Sequence, residues 1–524
     1  MSGFSYCTYV ESDGCRIHTT VCLPAADGKF PTMIFRSPYV DAEENLTDEE
    51  ISSLKEKAFA SWLENGYAVV YQHCRGRGRS EGDCIPYIYE RQDGLKLHDW
   101  IRQQPFYNGE LFLFGSSYTS TVHYMTAPWA EDIKGAVLSV QDTEKYNIYY
   151  RNGIMKIGLG ASWYFRMYKN KTMKKTYADE MFHMLPLTDL PMAVCNEDAE
   201  GFQEILMHPR KEDPFWKTRE SICEDREVIK NSKIPVLLTT GLYDIYTGGI
   251  FDMWNALDPE TKSRCALAVQ PYDHAGSDQA APVRFENGTL YEQFGEYPVR
   301  WCNFVRGTEE APVTPGKVTY YQIFGDGWHC DDFDAPQEIL SFTLGEGERT
   351  YRYLPVAPAT FKGGLSTNFG GAAYQDPPNS RYDILSFFTP EFEEDCVVKG
   401  KMSAKLRVRS SREDTCFYIR LSLVKPEGDY GLRDDINQIS NFDADYIPGS
   451  ELTMDFSFDE HAFVIRKGEK IRIDVSSSAF PHYVRHTNQK GDFALQTWMK
   501  SADNTVICHQ SALYVPVQRL QATK

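Results

Sequence analysis

The stretch LFLFGSSYTS, from Leu111 to Ser120, contains the residue best placed in this chain for nucleophilic chemistry. Its pattern predicts an apolar strand that runs into a helix, with Ser117 at the junction. A serine at such a sharp turn exposes its hydroxyl, and the crowded backbone requires small residues around it. Gly115 meets this requirement, whereas Thr119 stands where a second glycine is usual. We predict that Ser117 is a nucleophile, with a purely structural turn as the alternative.

A serine hydroxyl is a weak nucleophile until a base accepts its proton, and a histidine held by a carboxylate is the usual base. The run IPVLLTTGLYD predicts a strand that ends at Asp244, and the run RCALAVQPYDH predicts a strand followed by His274. Six histidines follow Asp244, but only His274 comes directly after a strand of the predicted sheet. Asp273 is an alternative acid, although an acid next to the histidine rarely reaches its Nδ1. The order Ser117, Asp244, His274 is that of α/β-hydrolase triads.

An oxyanion that develops during acyl transfer needs hydrogen-bond donors that are already in place. The backbone N–H of Tyr118, directly after the predicted nucleophile, is one candidate. The second donor is expected in the loop after an early strand, where the segment RSPY ends at Tyr39. We predict that the phenol of Tyr39 donates to the oxyanion, and a simple turn at this Pro-Tyr pair is the alternative.

Two acids, Asp142 and Glu144, follow a predicted strand that ends at Val140. Loops at the carboxyl ends of parallel strands build the binding site of such sheets, so these side chains could reach a substrate. A carboxylate there would bind the α-ammonium group of an amino-acid ester or peptide. In a chain this acidic, solvated loop carboxylates are the alternative interpretation.

The elements that must position these residues follow from the apolar pattern. Helical segments such as 93–102 separate several short apolar runs, and this alternation favours a parallel sheet with helices on both faces. The predicted strands are 31–37, 67–72, 110–115, 133–140, 234–240 and 264–270.

The pattern changes twice along the chain, which predicts three parts. From 145 to 230 strand-like runs disappear and helical spacing dominates, for example in 153–168, which predicts a helical cap inserted over the site. Beyond 312 alternating segments return, and they predict an antiparallel β-sandwich of the jelly-roll type. We therefore expect an α/β-hydrolase catalytic domain formed by 1–144 and 231–311, a helical cap at 145–230 and a jelly-roll domain at 312–524. The clearest sandwich segments are 401–407, 416–424 and 470–476.

Composition limits the classes of partner. The 524 residues include 74 acids and 55 Lys or Arg, and the net charge of −19 disfavours nucleic acid and anionic membrane surfaces. We find no secretory signal and no run of about 18 apolar residues, so we expect a cytoplasmic protein without a membrane partner. The 13 cysteines include no C-x-x-C pair, and we expect free thiols that are mostly buried.

With these residues in view, the chain resembles the CocE/NonD family of hydrolases, which contains cocaine esterase, α-amino-acid ester hydrolases and bacterial X-Pro dipeptidyl-peptidases. The resemblance covers nearly the whole chain and implies the three-part architecture. It also implies Ser117 as nucleophile, Asp244 as orienting acid and His274 as base, with Tyr39 and Tyr118 at the oxyanion. The segments that carry it are RSPYVD at 36–41, RGRGRSEG at 75–82, GSSY at 115–118, GLYD at 241–244, PYDH at 271–274, GDGWH at 325–329, RYDILSFFTP at 381–390 and KGEKIRIDVSSSAFPHYVRHTN at 467–488.

Three functions follow from these residues. The first is a serine hydrolase that cleaves acyl esters or amino-acid esters through an acyl-enzyme. The second is an X-Pro dipeptidyl-peptidase or related aminopeptidase with the same triad, and the third is a non-catalytic binding protein. We predict a small-molecule ester or a short peptide as substrate, and the sequence leaves open whether the chain forms a homo-oligomer. The two glycines of RGRGRSEG lack the third glycine of a dinucleotide fingerprint and no metal spacing occurs, so we predict neither a cofactor nor a metal.

Overall fold

The computed structural model describes residues 4–39, 43, 45–126, 129–142, 144–168, 182–195, 198–218, 233–274, 283, 285–289, 296–333, 338–365 and 370–520. Its helices are α1 (Asp48–Ala58), α2 (Ala60–Glu64), α3 (Glu90–Arg102), α4 (Tyr118–Tyr124), α5 (Lys145–Tyr149), α6 (Ile157–Met167), α7 (Leu190–Cys195), α8 (Glu200–Met207), α9 (Pro214–Thr218), α10 (Thr247–Ala256), α11 (Pro259–Lys262) and α12 (Glu296–Val305). Short 3₁₀ turns occur at Leu187–Asp189, Ile439–Asn441, Phe493–Leu495 and Cys508–Gln510.

The strands fall into two groups along the chain. The first group is β1 (Phe4–Ser12), β2 (Cys15–Leu23), β3 (Phe30–Ser37), β4 (Ala68–His73), β5 (Tyr107–Ser116), β6 (Ile133–Ser139), β7 (Tyr150–Arg151), β8 (Ile154–Met155), β9 (Val236–Tyr243), β10 (Ala266–Asp273), β11 (Val318–Gln322) and β12 (Gly327–Asp331). The second group is β13 (Glu338–Thr343), β14 (Glu348–Tyr353), β15 (Leu385–Phe388), β16 (Cys396–Gly400), β17 (Ser403–Ser410), β18 (Cys416–Lys425), β19 (Gly428–Gln438), β20 (Leu452–Ser457), β21 (His461–Ile465), β22 (Lys470–Ser476), β23 (Ala502–Ile507) and β24 (Ala512–Arg519).

A ten-stranded sheet in the order β1-β2-β4-β3-β5-β6-β9-β10-β11-β12 forms the centre of the first part. All pairings from β4 to β11 are parallel, and the pairings at the two edges are antiparallel. Every residue of β4 and β9 is buried, as expected for parallel strands with both faces covered. Each of the six predicted strands is present, and this confirms the α/β-hydrolase sheet.

The sheet extends further along the chain than the sequence analysis placed it. We predicted that residues from 312 onward belong to the jelly-roll domain, but β11 and β12 are part of the first sheet. Strand β11 pairs in parallel with β10, with Leu267 opposite Val318, and β12 returns antiparallel beside it. The alternating pattern of these two edge strands is also typical of sandwich strands, so the pattern did not distinguish the two sheets.

Helices α5 to α9 occupy the segment predicted as a cap, and the predicted helical stretch 153–168 contains α6. A two-stranded hairpin of β7 and β8 interrupts the helices, which the sequence analysis did not predict. The cap residues 169–181, 196–197 and 219–232 lie outside the described residues.

The C-terminal part is an antiparallel β-sandwich. One sheet has eight strands, with the path β14-β23-β17-β24-β16-β21 and with β13 and β20 joined to β24 and β17, and the other has the order β15-β22-β18-β19. The predicted segments 401–407, 416–424 and 470–476 correspond to β17, β18 and β22. Apolar residues of both sheets belong to one buried cluster, so the inner faces share a core.

Arg151, in strand β7 of the cap, joins this part of the chain to the sandwich. Its Nε lies 2.8 Å from Oδ1 of Asp435 and its Nη1 lies 3.0 Å from Oδ1 of Asp459. Its Nη2 donates to the backbone oxygen of Ser457 at 2.7 Å. Because a buried carboxylate is costly without a partner, these contacts make the position of the cap hairpin depend on the sandwich.

Two expectations concern membranes and disulfides. Among the described residues, no helix combines the length and the apolar character needed to cross a bilayer. Eleven cysteines are described as free thiols, and eight of them are buried. Buried thiols of this kind pack as small apolar side chains.

Candidate active site

Ser117 lies at the sharp turn between β5 and α4, as the sequence predicts. Its backbone has φ 57° and ψ −128°, a conformation that is unfavourable for a residue with a side chain. The N–H of Ser117 donates to the oxygen of Ser139 in the neighbouring strand β6 at 2.9 Å. This bond ties the strained turn to the sheet.

The residues on either side explain the imperfect match to the G-x-S-x-G form. A Cβ on Gly115 would lie 1.9 Å from the backbone oxygen of Thr119, so only glycine fits there. Thr119 is accommodated because its Oγ1 accepts from the N–H of Ser116 and donates to the oxygen of Ser116, both at 2.7 Å. These two hydrogen bonds stabilise the turn, whereas a glycine at this position could not form them.

Asp244 follows β9 and is fully buried. Its Oδ1 accepts from the N–H of Tyr246 at 2.7 Å, the local turn that Asp side chains commonly make. The hydroxyl of Thr247 donates to the oxygens of Gly241 and Asp244 and holds this loop in place. A Cβ on Gly241 would lie 2.2 Å from the oxygen of Tyr272, so this glycine allows β9 and β10 to approach closely.

His274 follows β10 and lies between the other two residues of the predicted triad. Its Nδ1 is 2.8 Å from Oδ2 of Asp244, and its Nε2 is 2.9 Å from Oγ of Ser117. The register of β10 shifts between Gln270 and Asp273, and such a bulge redirects the chain at the end of a strand. Asp273 does not take the place of Asp244, since the contact to Nδ1 comes from Asp244.

The surroundings of His274 act in opposite directions on its pKa. Burial lowers the pKa, but the charge and hydrogen bond of Asp244, with a smaller effect from Asp273, outweigh it. The pKa of His274 is therefore raised above its ordinary value. The carboxylate favours the imidazolium form and orients Nε2 toward Ser117.

Tyr39 lies beside Ser117, in the loop that follows β3. The hydroxyl of Ser117 and the indole of Trp163 are both side-chain partners of its phenol. Burial raises the pKa of Tyr39 more than these partners and the charge of Arg166 lower it. The phenol is thus protonated at neutral pH and can donate a hydrogen bond.

Tyr118 is the first residue of α4, a position whose backbone N–H has no acceptor within the helix. Its side chain points away from Ser117, because the phenol donates to Oε1 of Glu90 at 2.7 Å and accepts from the N–H of Tyr87. The rings of Tyr87 and Tyr118 stack at 4.4 Å, and Trp163 of the cap stacks on Tyr87 at 5.5 Å. The rings of Tyr118, Tyr87 and Trp163 therefore form one aromatic stack, which reaches Tyr39 through the indole of Trp163.

A cavity of about 690 Å³ opens at Ser117, which is within the range of small-molecule sites. Its lining combines polar groups, among them Ser117, His274 and Tyr39, with apolar and aromatic side chains. Lys55 also lines it, over the ring of Tyr71 at 3.7 Å and paired with Glu43. The lining residues are Phe35, Ser37, Tyr39, Lys55, Ala58, Phe59, Tyr71, Ser116, Ser117, Thr119 and His274.

The predicted substrate acids lie outside this cavity. Asp142 lines a second cavity of about 580 Å³ between the sheet, the cap and the sandwich. Its Oδ1 accepts from the N–H of Glu144 and from Asn147, and burial, the largest effect, raises its pKa to about 6. Glu144 pairs with Lys211 of the cap. Tyr246 lies near both sites. Its ring is 5.4 Å from that of His274, and burial, the largest effect, raises its pKa together with the charges of Asp244 and, more weakly, Asp142.

The sequence analysis missed the aromatic residues Tyr87, Trp163 and Tyr246, as well as Lys55. Only Tyr246 left a local signal, because an Asp two residues before it commonly forms such a turn. The other three reach the site from the loop before α3, from the cap and from α1, and these contacts depend on tertiary structure.

The first part has the fold of an α/β-hydrolase, with a serine, a histidine and an aspartate in contact at the carboxyl ends of its strands. A family model described as X-Pro dipeptidyl-peptidase (S15 family) matches residues 13–276, which is half of the chain. A second model, the X-Pro dipeptidyl-peptidase C-terminal non-catalytic domain, matches residues 313–510. The chain belongs to the S15 family and is a serine hydrolase, as the resemblance to the CocE/NonD group implied.

Individual relatives agree with this assignment. Cocaine esterase of Rhodococcus sp. (strain MB1 Bresler) is 25% identical over an alignment 541 positions long, which covers 92% of this chain and 92% of the esterase. The crystal structure of an aminopeptidase from the marine sediment archaeon Thaumarchaeota archaeon superposes with a TM-score of 0.83 at 17% identity, covering 98% of this chain and 96% of the other. An α-amino acid ester hydrolase has a TM-score of 0.82 at 19% identity, covering 98% and 97%. The two structures show that the fold is shared along the whole chain.

The geometry predicts how the pKa of His274 responds to its neighbours. In Asp244→Asn the charge that raises this pKa is lost while burial remains, so the pKa should fall clearly below that of the wild type. NMR titration of histidine-labelled protein measures it. Asp273→Asn is the matched control and should lower the pKa much less, because its charge has a smaller effect than that of Asp244. An equal decrease in both variants would contradict the assignment of Asp244 as the partner.

Proposed function

We propose that this serine hydrolase cleaves acyl esters or amino-acid esters through the triad Ser117, His274 and Asp244 and an acyl-enzyme intermediate. The observation that carries the proposal is the continuous contact from Oδ2 of Asp244 through both ring nitrogens of His274 to Oγ of Ser117, at 2.8 and 2.9 Å. Both distances are those of hydrogen bonds. The bond to Ser117 can carry the hydroxyl proton to His274, and the bond to Asp244 orients the imidazole and stabilises its charged form.

In the first step Oγ of Ser117 attacks the ester carbonyl carbon, and Nε2 of His274 accepts the hydroxyl proton. Asp244 stabilises the imidazolium that forms, because its buried carboxylate lies against Nδ1. The tetrahedral intermediate then collapses, and the imidazolium gives its proton to the departing alcohol. The products of this half are the free alcohol and an ester between the acyl group and Ser117.

In the second half water attacks the acyl-enzyme, and His274 again accepts the proton. Collapse of the second intermediate releases the carboxylic acid and returns the proton to Ser117. His274 must be neutral at the start of each half, so kcat/KM should rise as the pH increases through its raised pKa.

The negative oxygen of both intermediates needs donors, and two are available next to Ser117. The phenol of Tyr39 is adjacent to the serine hydroxyl, and the N–H of Tyr118 begins helix α4. The N–H of Ser117 itself is already bonded to Ser139, so it is not a candidate. We assign the oxyanion hole to Tyr39 and Tyr118.

The second candidate is an aminopeptidase or X-Pro dipeptidyl-peptidase, and the buried Asp142 favours it. Oδ1 of Asp142 is held by local donors, whereas Oδ2 faces Gly249 at the start of α10. This acid borders the polar second cavity, with Tyr246 between it and His274. A substrate that passes Tyr246 would place an α-ammonium group near Asp142. The family description and the archaeal aminopeptidase are consistent with such a substrate.

Replacement of Ser117 tests its role as the nucleophile. Ser117→Ala should abolish turnover of nitrophenyl esters and labelling by a fluorophosphonate, because no other hydroxyl contacts Nε2 of His274 in the described structure, while thermal stability stays near wild type. Ser120→Ala is the matched control, since its buried hydroxyl makes no hydrogen bond among the described residues, and it should keep activity. Wild-type turnover by a folded Ser117→Ala variant would exclude the triad.

Turnover of Gly-Pro or Ala-Pro anilides by the wild type would favour the peptidase function.

The next prediction concerns the oxyanion hole. Tyr39→Phe removes one donor and should lower kcat by a factor of about 10²–10³, with a much smaller effect on KM. Tyr67→Phe is the control, because its buried phenol bonds to Asn303 at 3.0 Å away from the cavity and should affect stability only. A kcat near wild type in Tyr39→Phe at saturating ester would refute the assignment.

The last prediction concerns amine recognition. Asp142→Asn should reduce turnover of free α-amino esters and spare their N-acetylated forms, because only the free esters carry an ammonium group. Glu144→Gln should have a smaller effect, since Lys211 already neutralises this acid. With a pKa of about 6, Asp142 loses its charge at lower pH, so the wild-type preference for free amines should fade as the pH falls through this value. Equal losses on both substrates would eliminate this role.

A further inference from the structure

A group of polar side chains that the hydrolytic mechanism does not use lies where the N-terminal hairpin meets helix α1. Strands β1 and β2 pair with Cys7 opposite Thr20 and Tyr9 opposite His18, so Cys7 and His18 are diagonal neighbours on one face. Thr47 caps α1 and presents Asp48 in its first turn. The thiol of Cys7, a ring nitrogen of His18 and a carboxylate oxygen of Asp48 all lie within 4.8 Å of one another.

A chain of contacts behind His18 determines which of its nitrogens carries the proton. Nε2 of His73 lies 2.8 Å from Oε2 of Glu43, so it is protonated and donates to this carboxylate. In a neutral imidazole the other nitrogen, Nδ1, is then an acceptor. Nδ1 of His73 lies 3.2 Å from Nδ1 of His18, and when His73 is neutral the donor in this pair is Nδ1 of His18. Nε2 of His18 is left with a lone pair.

This lone pair lacks a partner in an environment that requires one. His18 is fully buried, and its Nε2 makes no hydrogen bond within the described structure. Oδ1 of Asp48 lies 3.4 Å away, so two acceptors face each other. A cation between the two acceptors would remove this conflict.

We propose that Cys7, His18 and Asp48 bind a divalent transition metal, with zinc as the best match. Thiolate, imidazole and carboxylate are the ligands that zinc takes in proteins, and tetrahedral bonds of about 2.0–2.3 Å place its ligand atoms roughly 3.3–3.6 Å apart. The separation of 3.4 Å between His18 and Asp48 meets this requirement. His73 and Glu43 form the outer support that commonly orients a metal-binding histidine.

Charged groups around the site affect binding in both directions. Arg79 contacts the same oxygen of Asp48, so the metal must share this carboxylate with the guanidinium or displace it. Burial raises the pKa of Cys7, and a bound metal would deprotonate this thiol. Asp48 is 46% exposed, which gives a cation access from solvent. Lys55 pairs with Glu43 and keeps that outer carboxylate charged.

The ligands stand at positions 7, 18 and 48, without the short spacing of a metal motif, and for this reason the sequence analysis predicted no metal. They come together only when the hairpin pairs and α1 packs against it. A metal at this point would join the first two strands of the sheet to α1.

Calorimetry and absorption of the full-length protein test the proposal. After treatment with a chelator, the wild type should bind one zinc ion per chain and gain thermal stability, and Co²⁺ should produce a thiolate-to-metal charge-transfer band. Cys7→Ser should abolish the band, and Asp48→Asn should weaken zinc binding. Glu43→Gln should weaken it by about 10–100-fold, since it removes only the outer support. Cys330→Ser, which removes an exposed cysteine elsewhere, should leave binding unchanged.

Three results would overturn the proposal. They are the absence of zinc binding, a charge-transfer band that persists in Cys7→Ser, and a zinc affinity that is unaffected by both Cys7→Ser and Asp48→Asn. The first would mean that the network is a purely internal set of hydrogen bonds and ionic contacts. The Ser117 mechanism does not use these residues, so ester turnover by the chelated protein separates this outcome from a failure of the proposed hydrolytic function.

Discussion

The backbone of Ser117 is the constraint around which the site is arranged. A residue with a side chain in this conformation costs on the order of 1–3 kcal/mol, so the surrounding structure must hold it. Three local features do so: the bond from its N–H to Ser139, the two bonds of the Thr119 hydroxyl to Ser116, and the missing side chain at Gly115. These features do not involve His274 or Asp244. The backbone position of the serine therefore does not depend on the other two triad residues.

The rest of the site follows from the order of strands in the sheet. Four adjacent strands, β5, β6, β9 and β10, are followed closely in the chain by Ser117, Asp142, Asp244 and His274 respectively. A parallel sheet brings these ends to one edge. The side chains of the three triad residues then reach one another with only small local changes in the backbone. The bulge in β10 and the close approach at Gly241 supply this adjustment for His274. The same strand order explains why Asp142 is near the triad yet opens into a different cavity.

Much of this arrangement could be predicted from the sequence, because strands and their exits leave local patterns. The runs before Ser117, Asp244 and His274 are continuous apolar segments, and the chain order of the three residues limits the assignment. The cavity that receives Asp142 could not be predicted, because the cap and the sandwich form its other walls. The membership of β11 in the first sheet was also missed, since an edge strand shows the same alternation as a sandwich strand.

The extension of the first sheet past residue 312 has a consequence for how this protein can be divided. Asp331 at the end of β12 pairs with Lys399 of the sandwich, and this lysine is nearly inaccessible to solvent. Ile323 forms an isolated β-bridge with Phe463 of the sandwich. A cut at the composition change near 312 would therefore remove two strands from the hydrolase sheet. A cut after β12 would instead leave the buried lysine in the sandwich without its partner. The two halves do not behave as interchangeable modules, and a recombinant chimera must exchange the β11–β12 hairpin together with the sandwich surface that it covers.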